Sequence, residues 1–68
     1  MKYTVVIEKT DLSFGAYVPD LPGCVAVAES LEEVEKLIKE SIEFHIDGLK
    51  LEGQEVPEPK TTSLLVEV

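Results

Sequence analysis

The chain has no arginine, one cysteine and one histidine among its 68 residues, and each shortage closes a class of function. Its six basic residues are scattered lysines, set against fourteen acids for a formal net charge of −8. A phosphate backbone rewards clustered Lys and Arg through counterion release, so direct binding to nucleic acid is not expected and a basic protein is the better-matched partner. Acidity also serves solubility, which needs no partner at all. A lone cysteine, Cys24, cannot form an internal disulfide or a cysteine-rich metal site and reads as a small core residue. No apolar run approaches the length that spans a membrane, and Met1-Lys2-Tyr3-Thr4-Val5 enters a strand pattern without a signal-peptide core, so a cytoplasmic protein is expected. Internal repeats and low-complexity tracts are absent.

Composition is otherwise that of a folded domain, 44% hydrophobic and 29% charged, and residues 1–68 are read as one domain. Chains this small bury only about 60% of their unfolded surface, so self-association, as a dimer or higher oligomer, is expected to assist.

The apolar periodicities divide the chain. Lys2 to Lys9 alternates, with Tyr3, Val5 and Ile7 on one face, which predicts a first strand. Thr10-Asp11-Leu12-Ser13 is a hairpin connection, and Phe14 to Val18 is an antiparallel second strand. Cys24 to Ala28 forms a third, with Cys24, Ala26 and Ala28 making a small-residue face suited to close helix packing. Ser30-Leu31-Glu32-Glu33 has the form of a capping box. From there Leu31, Val34, Ile38, Ile42, His45 and Leu49 recur at helical steps, with acids and lysines opposite. Leu37 and Phe44 widen the apolar stripe at one margin and Ile46 at the other, and the first two are expected at an oligomer interface. Val56-Pro57-Glu58-Pro59 is a stiff extended connection, and Thr61 to Val68 alternates as a fourth strand. These elements predict an α+β fold, β-β-β-α-β, with a four-stranded mixed sheet in the order 3-2-1-4 and one helix on one face.

Between the second and third strands lies Val18-Pro19-Asp20-Leu21-Pro22-Gly23-Cys24, the corner around which the rest is arranged. Two prolines fix φ and withhold donors, so the segment is a shaped connection rather than a strand or helix. Leu21 at its middle is either held out by a stiff loop or plugs the end of the core.

No constellation for catalysis emerges. His45 lies within the helix's apolar stripe as a packed, hydrogen-bonded histidine, with no second histidine to share a metal. Glu8, Asp11 and Asp20 stand at irregular separations, a weak pattern for a divalent cation. The serines and threonines lack a nucleophile-elbow context, and the glycines make no phosphate-binding pattern. No catalytic residue, metal site or cofactor is assigned.

Gly15-Ala16-Tyr17-Val18-Pro19-Asp20-Leu21-Pro22-Gly23-Cys24, Ser30-Leu31-Glu32-Glu33 and Val56-Pro57-Glu58-Pro59, in that order, resemble the HicB-like antitoxin family over nearly the whole chain. The resemblance implies a partial ribonuclease-H-like domain and a non-enzymatic antitoxin that binds HicA, a small basic toxin that cleaves messenger RNA. If the chain neutralises such a toxin by occlusion, partner contacts are expected near the corner, at Tyr17, Asp20, Leu21 and Pro22, with Glu32, Glu40 and Glu43 of the helix steering the basic partner. Ala28-Glu29 stands where many relatives have glycine and an acid. Full-length relatives add a DNA-binding domain after the last strand, which this sequence does not contain, so repression of its own promoter is not expected. Two other readings remain at this stage: an HicB-like module that binds some other protein or ligand, and a metal-dependent nuclease, which needs converging carboxylates.

Overall fold

The computed structural model describes all 68 residues, Met1 to Val68. Three short strands, β1 (Val6–Lys9), β2 (Phe14–Tyr17) and β3 (Val25–Ala28), precede one long helix, α1 (Leu31–Leu51). The strands form an antiparallel meander in the order β1-β2-β3. Its register sets Ile7 opposite Ala16 and Tyr17 opposite Val25. Paired residues share a face, so Phe14, Ala16, Ala26 and Ala28 point to the helix side, while Glu8, Gly15, Tyr17, Val25 and Val27 point away from it. The small helix-side residues let α1 settle over β3 and β2. The core between them is Ala16, Val18, Leu21, Cys24, Ala28, Val34 and Ile38, with Tyr3, Val5, Phe14, Ala26, Ile42 and Ile46 packed against it.

The helix begins where the capping box places it. Ser30 is extended (φ −131°, ψ 158°), and its hydroxyl accepts the Glu33 amide at 3.2 Å. In a full capping box the Glu33 carboxylate would accept the Ser30 amide; here it accepts the Ser30 hydroxyl at 3.2 Å. Gly53, at φ +72°, turns the chain out of the last turn, and the Glu52 and Gly53 amides donate to the Gly48 and Lys50 carbonyls.

The fourth strand is not formed, which corrects the expected four-stranded mixed sheet in the order 3-2-1-4. The partial ribonuclease-H-like fold implied by the family resemblance is not formed as a four-stranded sheet either, while the α+β class holds. The physical reason lies in how the last segment is held. Where the expected strand should begin, side chains from elsewhere take backbone groups of Pro57, Lys60 and Thr61. Tyr3 donates its hydroxyl to the Pro57 carbonyl, and Thr4 donates to the Thr61 carbonyl at 2.7 Å. Past Thr61 no hydrogen bond ties the chain, and Leu64, Leu65, Val66 and Val68 are exposed. Leu64, Val66 and Val68 alternate as a strand does, but the free edge of β1 is not paired with them. The first strand is also shorter than expected, starting at Val6 rather than Lys2. The projecting segment is reflected in a radius of gyration of 13.1 Å, against about 11 Å for a compact chain of this length.

Candidate partner-binding surface

The corner is two consecutive turns. The Leu21 amide donates to the Val18 carbonyl and the Cys24 amide to the Leu21 carbonyl, each at 3.0 Å, and the Val18 amide closes the loop onto the Cys24 carbonyl at 3.2 Å. In the second turn Pro22 and Gly23 occupy the central positions, and φ of +85° at Gly23 is the value a type II turn requires. This geometry drives Leu21 inward until none of it is exposed. The plug is therefore the alternative the structure takes, and Leu21 does not stand among surface contacts as expected: its side chain closes the core beside Val18, Cys24 and Val34.

Asp20 points the other way and holds the segment after the helix like a strap. One carboxylate oxygen accepts the amides of Lys60 at 3.0 Å and Thr61 at 2.9 Å, and the other accepts the Thr61 hydroxyl at 2.9 Å. The bond from the Thr61 amide, against an opposing desolvation, holds the Asp20 carboxyl below the usual carboxylate range, with the Thr61 hydroxyl, the Lys60 amide and the Lys60 charge adding to it. Between corner and strap runs a groove of about 550 Å³ lined by Pro19, Asp20, Pro22, Glu55, Glu58 and Lys60 among others. Its walls are prolines and charged side chains, a surface for hydrogen bonds and cations rather than for an apolar ligand.

The other expected contacts are spread over two surfaces. Tyr17, 42% exposed, lies on the sheet face away from α1 with Val25 and Val27, around a hollow of about 290 Å³ over Gly15. Pro22 is exposed at the corner, and Glu32, Glu40 and Glu43 are exposed along α1. Leu37 and Phe44 stand on α1 at 39% and 82% exposure. Sequence reasoning missed Leu51, which continues their line at the next seven-residue step and is 89% exposed; the spacing itself was the available signal. It also missed the roles of Tyr3, Thr4 and Thr61 in the strap, for which no local pattern exists.

The remaining chemistry is sparse. Cys24 is buried, and burial pushes its thiol up, away from the reactive thiolate. His45 is half-buried and, unlike the hydrogen-bonded histidine expected, has no hydrogen-bond partner among the side-chain contacts. No group of three or more His, Cys, Asp or Glu residues is placed to hold a metal ion. No helix is long and apolar enough to cross a membrane.

A family model described as HicB_like antitoxin of bacterial toxin-antitoxin system matches residues 3–67. An uncharacterized 14.9 kDa protein from the rep-hol intergenic region of Haemophilus phage HP1 is 39% identical over 57 residues, covering 84% of this chain but only 43% of the phage protein. A UPF0150 protein of Archaeoglobus fulgidus is 43% identical over 51 residues, covering 74% of each chain. Among solved structures, a chain of the HicA3 and HicB3 toxin-antitoxin complex superposes with a TM-score of 0.73 at 33% identity, over 87% of this chain and 70% of that one.

Proposed function

Since this chain belongs to the HicB-like antitoxin family, we propose that it is a non-enzymatic antitoxin whose single domain neutralises a HicA-like, messenger-RNA-cleaving toxin by covering it. The observation that carries this reading is the likeness, at 33% identity, to a chain solved within a toxin-antitoxin complex. The net charge of −8 supports it, because an acidic surface draws a basic protein into encounter. Glu32, Glu40 and Glu43 lie on the exposed side of α1, where their field reaches an approaching partner. Tyr17, on the sheet face away from α1, and Pro22, at the corner, offer apolar contact, while Asp20 serves by fixing the strap that frames the corner groove.

Expressing the chain together with a HicA-like toxin, sought in the reading frames next to its own gene, tests the reading directly. Rescue of growth and a complex that co-purifies are expected. Continued growth arrest, with the chain folded and in excess, overturns the proposal.

The same reading has the chain act as a homo-oligomer in the cytoplasm, because Val25, Val27 and the stretch from Leu64 to Val68 leave apolar side chains for a second copy to cover. Sedimentation equilibrium that returns the mass of one chain at micromolar concentration rejects that part.

A further inference from the structure

One edge of α1 carries three large apolar side chains at seven-residue steps, Leu37, Phe44 and Leu51, all exposed. Ser41 and Gly48 stand between them on the same line. Steps of four and three residues are the spacing by which one helix offers alternating knobs and gaps to a second helix.

Gly48 has no role inside the chain. Its φ is not positive, and a Cβ built there meets nothing within 4 Å. A glycine inside a helix weakens it relative to alanine, so the sequence carries a penalty at a position where no neighbour needs the space. A backbone approaching from outside does need it.

The rim supplies the sign of the partner. Glu33, Glu40 and Asp47 repeat at the same seven-residue step on the solvent side of the apolar line. Glu33, Lys36, Leu37 and Glu40 surround a hollow of about 230 Å³, with Lys36 the one base among them. A second copy laid antiparallel would bring Glu40 beside Asp47 of its neighbour, in a molecule already at −8, and like charges so placed are destabilising. A helix flanked by lysine or arginine meets the same rim favourably.

We infer that this edge of α1 is a seam that takes one helix of a basic protein, with a large apolar residue seated over Gly48 and basic residues against Glu33, Glu40 and Asp47. The inference rests on the antitoxin reading above and names the face by which that partner is held.

The test measures binding between the purified full chain and that HicA-like toxin. Gly48→Leu fills the gap in open space and strengthens the helix, so it leaves the chain folded; Phe44→Ala removes a side chain that is 82% exposed. Each is expected to raise Kd at least about tenfold. Leu12→Ser, in the connection between β1 and β2 and 89% exposed, is expected to leave Kd unchanged. Circular dichroism checks the fold of each variant, and Phe44→Ala decides alone should Gly48→Leu unfold. Wild-type affinity in both seam variants overturns the seam while leaving the antitoxin reading intact. A loss confined to Leu12→Ser does the same and moves the contact to the hairpin between β1 and β2. A fall in the mass of the isolated chain on Phe44→Ala assigns the edge to a second copy instead and likewise overturns the proposal. No binding by the unaltered chain overturns the antitoxin reading and the seam with it.

Discussion

Asp20 takes both the amide and the hydroxyl of Thr61, each at 2.9 Å, across 41 residues of sequence. Together with the bond from the Lys60 amide, this ties the corner between β2 and β3 to the strap that follows α1. Charged acceptors make the stronger hydrogen bonds, and the strap has few other attachments. Its placement therefore rests chiefly on one carboxylate, with the hydroxyls of Tyr3 and Thr4 as its other attachments.

Asp20→Ala is expected to release residues 60 and 61 while leaving the sheet and helix in place. Amide exchange read by NMR should speed up on the order of tenfold or more at Lys60 and Thr61, with the α1 amides unchanged. Protection that persists at Thr61 contradicts the assignment.

Acid should do reversibly what that substitution does permanently. Because the folded state lowers the Asp20 pKa, chiefly through the Thr61 amide, the ionised form is favoured in the fold. The resulting stabilisation is present above the ordinary aspartate value of about 3.9 and is lost as pH falls through and below it. A titration that follows the Thr61 amide shift should show its midpoint below that of an unperturbed aspartate. A midpoint at or above the ordinary value refutes the geometry.

Leu21→Ala is expected to cost about 2–5 kcal/mol in urea unfolding, as a fully buried leucine truncated in a packed core does. Gly23→Ala, which forces a Cβ into φ +85°, should cost about 1–2 kcal/mol. Truncation of Leu21 at less than about 1 kcal/mol would mean that the plug does not carry the corner.

Replacing Glu32, Glu40 and Glu43 by lysine should slow association with a basic partner about tenfold or more at low salt and flatten its salt dependence. All three side chains are exposed, so the fold is expected to survive. Stopped-flow association rates across a salt series would show this, and an unchanged slope argues against electrostatic steering by α1.

What the sequence reveals of this molecule follows the range of the forces involved. The start of α1 is legible because Ser30 and Glu33 meet within one turn, and the meander is legible because its alternations are joined by short connections. Leu21 could be placed on the corner but not inside or outside, since its direction depends on how two turns meet a helix that comes later. The strand pattern at Leu64, Val66 and Val68 states a preference for extended backbone, whereas a strand exists only where an edge accepts it. The bonds to Asp20 join residues 40 and 41 positions apart, and nothing near Asp20 announces them. Among the candidate contacts, the line of Leu37 and Phe44 was visible as excess width in the helical stripe. Its extension to Leu51 was written in the same seven-residue spacing and needed only a helix that runs on past Gly48.

The strap also sets an order of events in folding. Hairpins and helices close short loops, and the meander with α1 is assembled from such contacts, but the bonds from Tyr3 and Thr4 span 54 and 57 residues. Long loops close at a higher entropic cost and are rewarded only once the distant sites have already formed. The strap is therefore expected to arrive last and leave first, opening without disturbing Val34, Ile38 or the turns around Leu21. A partner that grips α1 or the open sheet face holds a unit that survives this opening.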